Sequence, residues 1–90
     1  MSVTAVVRHK VADYDAWRTV YDTLADLQTN GGVTAESVHR LLSDGNDLLV
    51  VHQFETADAA QAFFNSGELR DGMERAGVQG PPTIDIFQDA

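Results

Sequence analysis

Three histidines, His9, His39 and His52, all stand in stretches that read as strands. Cysteine is absent, so histidine is the one side chain here with an unperturbed pKa near neutrality. A neutral imidazole is suited to removing a proton from a phenol or an activated carbon acid. A base carried on a strand also has its rotamer fixed by its neighbours, whereas one on a loop is mobile. His52 and His39 are therefore the candidate proton acceptors, with Arg40 or Arg8 stabilising the anion left behind and His9 as a further ligand contact. The alternative for each histidine is a half-buried strand residue hydrogen-bonded to a neighbour.

Charge placement adds to this pattern. Arg8, Lys10 and Arg40 are half of the six basic residues and fall in strand stretches, while most of the fourteen acids lie on helical segments and turns. A locally positive sheet surface suits an enolate or carboxylate. Arg40 could equally pair with Glu36 or with an acid of a partner subunit. Tyr14, Trp17, Tyr21, Phe63 and Phe64 recur at helical spacing, which ordinarily means core. Tyr14, Trp17 and Tyr21 also count as candidate ligand contacts, a tyrosine hydroxyl being able to donate to a ligand oxygen.

The elements that must position these groups follow from periodicity. Val3, Ala5, Val7 and Val11 alternate with Arg8 and Lys10 as a strand over 3–11. Asp13 caps a helix whose apolar residues Tyr14, Trp17, Val20, Tyr21, Leu24 and Leu27 run to a stop at Asn30-Gly31-Gly32. Val33 to Leu42 is a second strand, Ser43 to Asp47 a turn and Leu48 to Glu55 a third strand, together a hairpin. Thr56 caps a helix carrying Ala59, Ala60, Phe63 and Phe64, Asn65-Ser66-Gly67 interrupts it, and a helical piece from Glu68 to about Ala76 ends at Gly77. Gly80-Pro81-Pro82 is an extended turn before a last strand, Thr83 to Gln88. The order βαββαβ defines one α+β domain over 1–90, ferredoxin-like, with an antiparallel four-stranded sheet of order 4-1-3-2 and both helices on one face.

Hairpin register decides whether two of the histidines meet. A two- or four-residue loop puts His39 and His52 on one face, and a three- or five-residue loop separates them. Asp44-Gly45 favours the two-residue loop, hence the shared face. In the third strand, Leu48, Val50, His52 and Phe54 on one parity and Leu49 and Val51 on the other make both faces apolar, which a half-solvated sheet does not do. The second face is expected to be covered by a second copy of the chain.

Composition excludes several classes. With 43% hydrophobic and 22% charged residues the chain is globular rather than disordered. A formal charge of -8 argues against nucleic acid as partner. The longest apolar run, Leu48 to Val51, is far short of the roughly 20 residues a membrane span needs. Residues 1–11 lack a secretory pattern, so a cytoplasmic location is expected. No nucleophile elbow, phosphate-binding loop or dinucleotide fingerprint occurs, no cofactor is expected, and the histidine spacing does not make a specific metal site.

The stretches VADYDAWRTVYD, SDGNDLLVVHQFE and SGELRDGMERAGVQGPP, with the GGV that ends the first helix, resemble the dimeric α+β barrel superfamily. Within it, they resemble the small bacterial proteins labelled cyclase or placed near the antibiotic biosynthesis monooxygenases. The resemblance implies a homodimer of face-to-face sheets with a pocket in each subunit. It implies a cofactor-independent monooxygenase, isomerase or cyclase acting on a small aromatic or polyketide-like molecule. A small-molecule-binding or scaffold protein without catalysis is the alternative. The first-strand Asn of the haem-degrading members has no counterpart in 3–11.

Overall fold

The computed structural model describes residues 2–90. Its elements are β1 (Val3–Val11), α1 (Tyr14–Asp22), α2 (Ala25–Asn30), β2 (Val33–Leu41), β3 (Asp44–Phe54), α3 (Ala57–Phe64), α4 (Gly67–Arg75) and β4 (Val78–Gln88). The four strands form one antiparallel sheet in the order β2-β3-β1-β4, the ferredoxin-like arrangement with β1 and β3 in the centre. Among the described residues no helix is long and apolar enough to cross a membrane.

The helix starts follow their side chains. Asp13, Thr56 and Ser66 each accept a hydrogen bond from the backbone N–H three residues on, opening α1, α3 and α4. The first helical segment is not continuous to Asn30, as its periodicity suggests. It breaks at Thr23-Leu24, and α2 restarts without a side-chain cap. The Thr23 hydroxyl donates to the Val20 carbonyl, an alternative to helix continuation that threonine offers readily. Gly77, at φ +79°, follows the end of α4 in the left-handed region.

Two further differences concern the strands. β4 does not start after the prolines but runs through them from Val78, as an edge strand can, with an irregularity opposite Arg8 to Lys10. The β2–β3 turn is Leu42-Ser43 rather than the Ser43–Asp47 cluster. Arg40 pairs with Leu48 while Leu41 pairs with Asp44, so Gly45, Asn46 and Asp47 are extra residues bulging from β3. Their polar groups are satisfied by hydrogen bonds: the Asn46 N–H donates to Asp44 Oδ1, Asn46 Oδ1 accepts the Tyr14 N–H, and Arg40 Nε donates to the Gly45 carbonyl.

One sheet face packs on the helices, and it carries Val3, Ala5, Val7, His9 and Val11 of β1 with Leu48, Val50, His52 and Phe54 of β3, all buried. The core has two halves. One gathers Val7, Val11, Leu48 and Val50 around Trp17 and Tyr21, and the other gathers Val3, Ala5 and Ala60 around Phe54 and Phe63. Phe64 packs against both. Each large side chain so buried stabilises the fold by roughly 1.5–3 kcal/mol.

Candidate functional site

At the seam between the core halves lies a cavity of about 30 Å³, walled by Val7, Val50, Trp17, Tyr21, Phe63 and Phe64 among others. His9 and His52 face it from the sheet, and Gln28 faces it from α2. Because Ala5 pairs with His52 and His9 pairs with Leu48, the two histidines stand four residues apart along the strand direction, roughly 13 Å between Cα atoms. Val7 and Val50, paired with each other, form the floor between them. The roof is α1, where Trp17 and Tyr21 stack at 4.6 Å between ring centroids.

Both imidazoles are buried, and among the described residues neither ring nitrogen of either one has a hydrogen-bond partner. Four such atoms are an unusual concentration, since buried polar groups are nearly always satisfied. Burial pulls the His52 imidazole down to about 4, against the opposing charge of Glu36. Burial lowers His9 as well, opposed by Asp47. At neutral pH each ring is therefore neutral, offering one N–H and one lone pair to the cavity. Trp17 lies 5.8 Å from the His9 ring, and Phe54, Phe63 and Phe64 surround His52 at 5.8–6.4 Å.

The remaining candidates divide. His39 pairs with Leu49 and points to the other sheet face, exposed, with Nε2 2.9 Å from the Ser37 hydroxyl. The expected shared face of His39 and His52 is thus corrected: the bulge at 45–47 shifts the register so that Glu36, not an odd-numbered residue, opposes His52. Arg8 is on the outer face too, in a bidentate pair with buried Asp47 at 3.0 and 3.2 Å. Arg40 stands at the sheet margin, its guanidinium 4.0 Å from the centre of the Tyr14 ring. Tyr14 stacks on Trp17 at 6.0 Å and stands outside the cavity wall. His52, His9, Trp17 and Tyr21 are therefore brought together, whereas His39, Arg8, Arg40 and Tyr14 are not.

Two polar residues complete the site beyond the four. Glu36, weighed in the sequence only as a partner for Arg40, accepts the Tyr21 hydroxyl hydrogen at Oε2, 2.6 Å away. Gln28, buried on α2, lines the same cavity wall, and the Tyr21 hydroxyl is driven well above its ordinary pKa by burial and by Glu36. A polar residue on the inward face of a helix was the available signal for Gln28.

Fold and cavity together define a ferredoxin-like α+β protein with an aromatic-roofed pocket between sheet and helices. No protein-family model matches the chain, and no curated protein sequence does. Solved structures do match it. The cofactor-independent oxygenase SnoaB of Streptomyces nogalater superposes with a TM-score of 0.81 at 15% identity, covering 99% of this chain and 93% of that one. A Bordetella bronchiseptica protein provisionally assigned as an antibiotic biosynthesis monooxygenase gives 0.82 at 15% identity, covering 99% and 97%. A conserved protein of Methanosarcina mazei gives 0.80 at 10% identity, covering 100% and 94%. The chain has the fold of the antibiotic biosynthesis monooxygenase-like proteins.

Proposed function

We propose that this chain is a cytoplasmic, homodimeric enzyme of the cofactor-independent oxygenase type, in which His52 takes a proton from a small aromatic substrate held between sheet and helices. The observation that carries this reading is the pair of buried imidazoles without protein partners at the two ends of one aromatic-walled cavity. Leaving four polar atoms unsatisfied costs about 1–3 kcal/mol each. A guest that bonds to both ends recovers that cost, so the site favours a flat molecule with hydroxyl or oxo groups at its two extremities and an apolar middle over Val7 and Val50. The structural likeness to SnoaB supports oxygenase chemistry over isomerisation.

Two quantities constrain the mechanism. Small-molecule pockets usually hold about 300 Å³ or more, so the 30 Å³ cavity has to widen on binding. Met73, unbranched and half-buried on the cavity wall, is the element that yields at least cost. A base near 4 also stands some six units below an ordinary phenol near 10, about 8 kcal/mol for the transfer. The imidazolium and phenolate must then stabilise each other as an ion pair, against the same burial that lowers His52.

Homodimerisation is supported by the outer sheet face, where Val6, Leu49 and Val51 adjoin in the centre and Phe87 is 57% exposed. The small, mostly apolar cavity favours one second reading, a binding protein that holds an apolar molecule without converting it. Oxygen consumption and product mass measured across a panel of polyhydroxylated aromatics decide between them. The enzyme reading expects turnover that His52→Ala lowers by roughly 10²- to 10⁴-fold. Saturable binding without oxygen uptake would overturn it.

A further inference from the structure

His52 and Glu36 are direct cross-strand partners on the helix-facing side of the sheet. They differ in environment: the imidazole is enclosed by aromatic rings, while Glu36 is exposed on the edge strand β2. Around His52, α3 supplies Phe63 and Phe64, α4 supplies apolar wall residues, and α2 supplies the neutral Gln28. From α1 come Tyr21, 6.5 Å from the imidazole between ring centroids, and Arg18, whose guanidinium stacks on the Tyr21 ring at 5.3 Å. Glu36 is thus the anionic side chain placed to act on the buried imidazole. Its carboxylate is nevertheless engaged elsewhere, on the Tyr21 hydroxyl.

We propose that Glu36 is a switchable counter-charge for His52. Tyr21 holds the carboxylate at the cavity rim, and a ligand oxygen that accepts the Tyr21 hydroxyl hydrogen releases Glu36 to turn toward the imidazole, which then carries the proton taken from the ligand. The balance is simple: one proton moves from the ligand to His52, one hydrogen bond moves from Glu36 to the ligand oxygen, and Glu36 remains a carboxylate throughout. Glu36 acts through His52 and is a positioning residue. The switch also couples occupancy to basicity, since an empty cavity leaves the imidazole neutral and inert while a ligand seated on Tyr21 makes it a stronger base.

The inference rests on His52 being the proton acceptor, and its test is chosen to be read without substrate. Imidazole resonances of the ligand-free protein are followed against pH by NMR in the wild type, Tyr21→Phe, Glu36→Gln and the double variant. Phe keeps the stack on Trp17 while freeing Glu36, so Tyr21→Phe should raise the His52 midpoint by about half to one pH unit. Glu36→Gln should lower it, and the double variant should follow Glu36→Gln. Tyr21→Phe/Glu36→Asp should retain part of the rise. A His52 midpoint unchanged by Tyr21→Phe, or a rise that persists in the double variant, overturns the switch and leaves the base assignment standing. Conversely, full turnover in His52→Ala overturns the base assignment while the coupling measured without ligand stands.

Discussion

Replacing His52 by Phe isolates the cost of keeping a neutral imidazole in the cavity. In the unfolded chain the ring titrates near 6.5, and in the folded chain burial holds it near 4. Between those values the unfolded state binds the extra proton, so stability is fully present above about pH 6.5 and is lost as pH falls toward 4. Two and a half units correspond to about 3 kcal/mol. Phe has no proton to bind, and its ring joins Phe54, Phe63 and Phe64. At pH 7 two effects oppose each other: removing unsatisfied nitrogens gains about 1–3 kcal/mol each, and fitting a larger ring beside a small cavity costs about 1–3 kcal/mol. The pH dependence is therefore the decisive quantity. Urea denaturation of both proteins at one fixed protein concentration, at pH 7, 5.5 and 4.5, should show His52→Phe gaining roughly 2–3 kcal/mol on the wild type across that interval. Groups remote from His52 are common to both and cancel, while the opposing effect of Glu36 on the imidazole is part of what the difference reads. Parallel stability curves would refute the argument, because they require an imidazole that protonates as readily folded as unfolded.

A Cβ at Gly31 would fall 2.5 Å from Cδ1 of the Phe63 ring although the backbone there is unstrained, so Gly31→Ala should destabilise the fold by about 1–3 kcal/mol in thermal or urea unfolding. Val6 and Val51 are cross-strand partners on the outer sheet face, and Val51→Lys should halve the mass measured by light scattering while the circular dichroism spectrum is kept. A wild-type chain that is already monomeric at micromolar concentration would sink the dimer proposal.

Much of the fold was legible because its signals are local. Alternation fixed β1 and its buried parity, Asp13 and Thr56 marked two helix starts, and Gly77 marked the end of α4. The break at Thr23-Leu24 was not legible, since Tyr21, Leu24 and Leu27 keep helical spacing across it. What allows the break is tertiary: Leu24 lies in close contact with Gly72 of α4, where a Cβ would approach Leu24 Cδ1 to 3.1 Å. Neither residue advertises that contact in the sequence.

The site was legible in residue type and misread in register, for a reason that generalises. Each histidine's strand was identified, yet the face on which His39 lies depends on the parity of the hairpin pairing, and a one-residue change inverts it. Asp44-Gly45 looked like the loop because that dipeptide suits a two-residue turn. In the folded chain those residues serve α1 instead: Asn46 binds the Tyr14 N–H, Arg40 binds the Gly45 carbonyl, and the guanidinium covers the Tyr14 ring. The bulge is therefore a docking device for the first turn of α1, and α1 carries the cavity roof. The same contacts that send His39 to the outer face bring Glu36 opposite His52 and beneath Tyr21. Long-range hydrogen bonds thus replaced a histidine pair, which the sequence suggested, with a histidine–carboxylate pair, which it did not.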